Sequence, residues 1–151
     1  MRTITKIFMP IFIIILASGQ CANVAPYEST ISITPDGVDL QDTFHEYLNQ
    51  QFVITVTDKD DVPLNGVEIT ISFIFAPNYS CPVSSCLSAP IIELVDKDNN
   101  VVNSPFTTTT GEDGTYTITT RIYSGSWSFV GDLEVRSGAT GFNSVEIKVN
   151  Q

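Results

Sequence analysis

Alternating apolar and polar residues run through most of the chain after residue 23 and predict β-strands. In the clearest case, residues 67–75, six positions alternate before apolar residues follow on both faces, as in a strand that enters a sandwich core. A period of two places every second side chain on one face of a strand. The other predicted strands are short, rich in β-branched residues and flanked by turn formers; they cover residues 31–34, 52–57, 91–95, 115–123, 133–136 and 145–149.

Turn formers separate these segments at intervals of about ten residues, a spacing typical of a β-sandwich and not of an open α/β sheet. Residues 58–66 are dense in Asp, Pro, Asn and Gly and predict a hairpin between the 52–57 and 67–75 strands, in which Asn65 and Gly66 tolerate positive φ. A second hairpin with a primed turn is predicted at Asp113-Gly114. Its second strand would turn one set of side chains inward, those of Tyr116, Ile118 and Thr120.

Residues 39–48 fit two structures. Apolar side chains at positions 40, 44, 47 and 48 would share one face of a helix that Asp39 could cap. The alternative is an irregular strand that leads into Phe52. Neither alternative changes the predicted fold class, which is an all-β, Ig-like Greek-key sandwich of about seven strands.

The first twenty residues predict a cleaved signal peptide. Arg2 and Lys6 precede an apolar stretch at 7–16, and the small residues 17–19 follow it. The stretch is about half the length of about 20 apolar residues that a transmembrane helix needs. We therefore expect an exported protein with a signal peptide at 1–20, a linker at 21–29 and a single Ig-like domain at 30–151.

The cysteines leave two routes of signal cleavage open. Cleavage after Gly19 would give a secreted protein in which Cys21 is free or pairs between chains. Residues 16–21 (LASGQC) also resemble a bacterial lipobox, although Gln20 stands where a small residue is expected, so cleavage before Cys21 with lipidation of its thiol is the alternative. Cys81 and Cys86 are close enough in sequence to form a short loop disulfide in an exported chain.

Composition narrows the class of partner. The chain has 151 residues with a net charge of −10, and loss of Arg2 and Lys6 with the signal takes this charge to −12. Phosphate groups of nucleic acids and anionic lipids would repel such a chain. We expect no nucleic-acid partner, and membrane attachment only through a lipid anchor at Cys21.

No catalytic constellation stands out in the sequence. His45 is the single histidine, so any catalytic triad would depend on it, and a solvent-facing position is the simpler interpretation. A zinc site needs four nitrogen or sulfur ligands, and only His45 and Cys21 could join Cys81 and Cys86. The sequence therefore predicts a protein that is not an enzyme.

Calcium is the one cofactor for which the sequence offers candidate ligands. Carboxylates gather in three turns whose oxygens could meet at one end of a sandwich, and the candidate ligands are Asp58, Asp60, Asp96, Asp98 and Asp113. The 96–107 segment begins like an EF-hand loop, but Val101 replaces the required Gly and Thr107 the closing Glu. The alternative is that these residues only form turns.

Two segments resemble known domain families. Residues 52–58 (FVITVTD) and 63–71 (PLNGVEITI) resemble the opening strands of bacterial Ig-like domains of the invasin and intimin type. Residues 110–118 (TGEDGTYTI) are similar to a hairpin of those domains and of carboxypeptidase-regulatory-like, transthyretin-like domains. The resemblance spans residues 30–149, but Asp60-Asp61 replaces the usual turn glycine, and residues 79–90 look like an insertion.

The resemblance implies a fold more than a function, because its motifs are strand and turn residues. It implies a non-enzymatic, exported cell-surface module for adhesion or structural assembly, whose partners are other surface proteins or glycans. The alternative is an accessory domain that binds a small molecule or carbohydrate. An exposed aromatic cluster such as Tyr79, Tyr123 and Trp127 would favour the alternative, and an unpaired edge strand would favour assembly.

Overall fold

Ten β-strands and no helix make up the part of the chain that the computed structural model describes, namely residues 25–26, 28–41, 47–75, 90–123, 128–138 and 141–150. In chain order the strands are β1 (Thr30–Thr34), β2 (Gly37–Gln41), β3 (Leu48–Thr57), β4 (Glu68–Phe75), β5 (Ile91–Val95), β6 (Val101–Val102), β7 (Phe106–Thr109), β8 (Thr115–Tyr123), β9 (Phe129–Ser137) and β10 (Gly141–Asn150).

The strands form two five-stranded sheets. Sheet A has the order β1-β3-β8-β5-β6, and sheet B has the order β2-β10-β9-β4-β7. All pairs are antiparallel except β2 and β10, which are parallel. The sets β1-β3-β8-β5 and β10-β9-β4 reproduce the ABED and GFC orders of an immunoglobulin sandwich. The predicted all-β Ig-like fold is confirmed, with β2, β6 and β7 added to its seven main strands.

The core lies between the two sheets and consists of every second residue of the long strands. Burial alternates without a break along β8, and its inward side chains include Tyr116, Ile118 and Thr120, as predicted. Burying one large aliphatic or aromatic side chain contributes about 1.5–3 kcal/mol. The largest fully buried ones are Phe52, Ile54, Ile69, Ile71, Leu94, Ile118, Ile122, Leu133 and Ile147.

The first strands close one side of the sandwich. β1 belongs to sheet A and β2 to sheet B, so the chain crosses between the sheets at Pro35-Asp36. The side-chain amide of Asn143, on β10, donates to the main-chain carbonyl of Ile31, on β1, at 2.8 Å. This bond ties the edge of sheet A to sheet B.

The predicted hairpin between the 52–57 and 67–75 strands is wrong. β3 lies in sheet A and β4 in sheet B, so the two strands lie on opposite sides of the core. The return arm of the turn ends at Leu64, whose N–H donates to the carbonyl of Val56 at 2.9 Å. Gly66, with φ of 67°, then turns the chain toward sheet B. Both strands have an apolar inner face, and both faces are buried in the core between the sheets.

The predicted hairpin at Asp113-Gly114 is also wrong in its pairing and turn type. β7 lies in sheet B and β8 in sheet A. The Gly114 N–H donates to the Gly111 carbonyl at 3.0 Å, and positive φ occurs at Gly114 but not at Asp113. A primed turn needs positive φ at a central residue. The need for glycine at position 114 is nevertheless confirmed, since φ there is 71°.

Two further predictions are decided within the described residues. For residues 39–48 the strand alternative holds at both ends of the segment, because β2 extends to Gln41 and β3 begins at Leu48. Residues 42–46, which include His45, lie outside the described residues. The run of apolar residues at the end of β4 does not enter the core. Ile74 and Phe75 are 45% and 41% exposed, because the strand leaves the core there.

Candidate functional site

Three turns of the same geometry lie at one end of the sandwich, which we call the turn end. They comprise residues 58–62, 96–100 and 111–115. In each turn the first N–H donates to the fifth carbonyl and the fourth N–H to the first carbonyl, and the fourth residue has positive φ. This is the three-residue loop in which a left-handed residue follows a type I turn. Those fourth residues are Asp61, Asn99 and Gly114.

The aspartates that open two of these turns hold the turns together. One carboxylate oxygen of Asp58 accepts the N–H groups of Asp60 and Val62 at 2.8 and 2.9 Å. Asp96 repeats the arrangement with Asp98 and Asn100, at 2.9 and 2.8 Å. Main-chain and side-chain hydrogen bonds from Asn100 lower the pKa of Asp96 below its ordinary value.

The third turn uses a different aspartate. Asp113 accepts the side-chain hydroxyl of Thr115 at 2.8 Å and its N–H at 3.1 Å. These two bonds, the hydroxyl first, lower the pKa of Asp113. Stabilisation of the ionised carboxylate by nearby N–H and O–H donors explains the direction of the shift.

The calcium ligands proposed from the sequence lie on these turns, and the prediction that the turns share one end of the sandwich holds. Asp60 and Asp98 form exposed ion pairs with Lys59 and Lys97 at 3.1 and 3.2 Å. Within the described ranges, no three carboxylate, histidine or cysteine groups lie close enough together to hold a metal ion. Calcium binding by Asp58, Asp60, Asp96, Asp98 and Asp113 stays a prediction.

The opposite end of the sandwich carries aromatic residues. The rings of Tyr47 and Tyr123 are 5.4 Å apart, and Tyr47 is 46% exposed. Phe75 lies 5.6 Å from Phe129. Four further residues singled out from the sequence lie outside the described residues; they are Tyr79, Cys81, Cys86 and Trp127. Cys21 and the signal segment are outside them as well.

The outer surface of sheet A carries mostly hydroxyl side chains, and we call it the threonine face. Alternate residues of β1, β3 and β8 point outward, and the register sets them in rows across the sheet. One row contains Ser32, Thr55 and Thr115, and the next contains Thr34, Val53 and Thr117. The face consists of Thr30, Ser32, Thr34, Asn49, Gln51, Val53, Thr55, Thr57, Ile91, Glu93, Val95, Val101, Thr115, Thr117, Thr119, Arg121 and Tyr123.

The threonine face carries no net charge. Its two charged residues are Glu93 and Arg121, which lie opposite each other on β5 and β8 and form an ion pair at 3.3 Å. Their side chains are only 28% and 36% exposed. The face also exposes three apolar side chains, Val53 at 37%, Ile91 at 45% and Val101 at 55%, whereas Val95, paired with Val101, is buried.

The outer surface of sheet B is acidic by comparison. Its outward carboxylates are Asp39, Glu68, Asp132, Glu134 and Glu146, against the two bases Arg136 and Lys148. Asp132 and Glu146 stand directly opposite each other on β9 and β10, an unfavourable placement of like charges. The charge of −10 is therefore concentrated on sheet B and at the turn end, where the three turns hold Asp58, Asp60, Asp61, Asp96, Asp98, Glu112 and Asp113.

Sequence reasoning missed the threonine face although part of its signal is visible. Thr115, Thr117 and Thr119 alternate with apolar residues, which marks them as the outward residues of one strand. The pairing of β8 with β3 and of β3 with β1 brings three such strands into one sheet. Those pairings join residues far apart in sequence, and the alternation does not encode them.

The described residues contain no helix long and apolar enough to cross a membrane. A groove of about 490 Å³ at the turn end is lined by Pro26, Glu28, Asp58 and Lys59. Its mixed charges specify no ligand class.

No protein-family model and no curated protein sequence matches this chain. A conjugative transposon lipoprotein from Bacteroides eggerthii DSM 20697 is structurally similar, with 9% identity, coverage of 83% of this chain and 100% of that chain, and a TM-score of 0.49. Conjugate transposon protein(27-141) from Bacteroides vulgatus shows 11% identity over 83% and 86%, with a TM-score of 0.47. The ASH / PapD-like domain of human CEP192 shows 9% identity over 100% and 96%, with a TM-score of 0.46. We assign no function from likenesses at this level.

Proposed function

We propose that this protein is a non-enzymatic, exported cell-surface module for structural assembly or adhesion, and that it works by docking its threonine face against another protein. The observation that carries the proposal is that the outer face of sheet B is acidic whereas the outer face of sheet A has no net charge. The cores of protein interfaces are depleted of charged residues. The threonine face is the outer sheet surface without net charge on a strongly acidic chain.

The side chains of the threonine face also suit docking. Threonine and valine have few rotamers to lose, so their burial costs little side-chain entropy compared with Lys or Glu. Each threonine offers both a methyl group and a hydroxyl that can donate and accept a hydrogen bond. Rows of such residues therefore form a surface with few side-chain rotamers that offers both apolar contact and hydrogen bonding.

Site-specific photo-cross-linking in the producing cells tests the proposal. A photoreactive amino acid is placed at Thr117 on the threonine face and, as a control, at Ser144, which is exposed on the outer face of sheet B. We expect covalent adducts from position 117 and few from position 144. Absence of adducts from position 117, or equal yields from both positions, would overturn the proposal.

A second candidate function is carbohydrate binding, which the exposed Tyr47 beside Tyr123 favours. Aromatic rings provide apolar faces against which a sugar ring can pack. Glycan-array binding that Tyr47→Ala abolishes and Val62→Ala leaves unchanged would support this candidate. Val62 is a suitable control because it is 53% exposed and lies at the turn end.

A further inference from the structure

We infer that the partner of the threonine face is a second copy of this chain, bound face to face about a two-fold axis. The inference rests on the proposed function and specifies its partner. It follows from the charge, the symmetry and the size of the face.

Charge restricts how two copies can meet. Each copy carries −10, and the excess acid lies on the outer face of sheet B and at the turn end. Contact through either of these surfaces would bring carboxylates of both copies together, which is unfavourable. Contact through the threonine face keeps the acidic surfaces on the outside of the dimer, where water and salt screen them.

Symmetry favours a second copy over a different protein. In a two-fold interface, residue i of one copy meets residue j of the other, and j meets i. The threonine face has one acid and one base, Glu93 and Arg121, side by side. An axis beside this pair sets each Arg121 against the Glu93 of the other copy, so both charges gain a second partner and none is left unpaired.

The size of the face predicts a weak dimer. At about 3.3 Å per residue and about 4.8 Å between strands, the five strands of sheet A cover about 500 Å². Two such faces bury at most about 1,000 Å², because an axis between β5 and β8 leaves β1 of each copy without an opposing strand. This area is at the low end of specific interfaces, where association is transient.

Salt gives a first test, by sedimentation equilibrium of the purified protein up to about 1 mM. Salt screens the repulsion between two acidic bodies, so we expect the dimer to tighten severalfold between low and high NaCl. Weakening by salt would mean that attraction between opposite charges outweighs the repulsion between the two acidic bodies, and would overturn the inference. A protein that stays monomeric throughout would overturn it as well.

Matched lysine substitutions give a second test. Thr117→Lys places a charge on the threonine face, and Ser144→Lys places the same charge on sheet B. Both lower the net negative charge equally, so a difference between them cannot come from long-range repulsion. We expect dimerisation to be at least about tenfold weaker for Thr117→Lys. We expect no weakening for Ser144→Lys. Equal effects would overturn the inference, and unchanged melting temperatures would show that both variants fold.

Charge reversal tests the reciprocal pair. Arg121→Glu sets a carboxylate against Glu93 of the second copy and should weaken the dimer. Adding Glu93→Arg in the same chain should restore it. An undiminished dimer for Arg121→Glu, or no recovery in the double variant, would overturn this geometry.

The photo-cross-linking experiment separates the two proposals. An adduct from position 117 with the mass of two copies supports both. An adduct that contains a different protein, together with a monomer in solution, keeps the proposed function and overturns the dimer. No adduct overturns the proposed function.

Discussion

Thr110 and Leu64 join the two sheets where the chain crosses between them. The Thr110 hydroxyl donates to the Leu64 carbonyl at 2.6 Å and accepts the N–H of Val67 at 3.0 Å. The main-chain N–H of Thr110 also donates to the Val67 carbonyl, at 3.0 Å. Thr110 is 3% exposed, so water cannot readily replace these bonds.

Thr110→Val should destabilise the fold by about 1–3 kcal/mol, since it keeps the shape of the side chain but leaves a buried N–H and carbonyl without their partner. Chemical denaturation gives the free energy of unfolding. Thr109→Val is the matched control because Thr109 is exposed, and Thr110→Ser should retain most of the stability. A loss as large for Thr109→Val would contradict this role of Thr110.

Gly114→Val should also destabilise the protein. A β-carbon at this position would lie 2.7 Å from the β-carbon of Pro63, and the positive φ of 71° disfavours any side chain. Left-handed backbone costs about 1–2 kcal/mol for a residue with a β-carbon, and the clash adds to this cost. Gly111→Ala is the control because its nearest contacts would be 3.3 and 3.4 Å. An unchanged melting temperature for Gly114→Val would refute the turn geometry.

Acid should remove the stability that the turn aspartates contribute. Their carboxyl pKa values, in Asp96 and Asp113, are lowered in the folded protein by hydrogen bonds, from Asn100 and Thr115 respectively. A lowered folded pKa gives a contribution that is present above the ordinary Asp value of about 3.9 and lost as pH falls through the folded value. The denaturant concentration at the midpoint of unfolding should therefore decrease once the pH drops below about 4.

The stability of the Asp96→Asn variant should fall less steeply with acid than that of the wild type. The Asn amide oxygen still accepts the turn N–H groups but cannot titrate. Asp60→Asn is the control, since in the described structure the Asp60 carboxylate is bonded only to the Lys59 side chain. Identical acid profiles for wild type and Asp96→Asn would contradict the assignment.

Calcium binding at the turn end is tested by melting the protein with calcium and with a chelator. The carboxylates of Asp58 and Asp96 already accept main-chain N–H groups, and a bound calcium ion would compete for the same oxygens. We expect no change in melting temperature at low calcium concentration. A fall in the presence of chelator would instead support the predicted site.

The intact mass of protein from its native source tests the N-terminal predictions. We expect a mature chain without the signal segment and with a disulfide between Cys81 and Cys86. A lipid-sized increase on a chain beginning at Cys21 would identify a lipoprotein, and a chain beginning at Gln20 would identify ordinary secretion. An uncleaved chain would contradict export by this signal.

Local pattern determined the seven main strands of this protein. The alternation of residues 115–123 predicted the bounds of β8 and its inward side chains, because a pleated strand forces a period of two on any sequence that buries one face. Position 114 called for glycine because glycine adopts positive φ at the lowest cost.

Tertiary structure decided how the strands are shared between the sheets. β3 and β4 follow each other through a turn-rich segment, which suggested a hairpin, yet they lie in opposite sheets. The reason is that each strand buries its apolar face in the core between the sheets, and this burial depends on the whole set of strands. The threonine face is decided in the same way. Its residues share one surface without net charge only after β1, β3, β8 and β5 have paired.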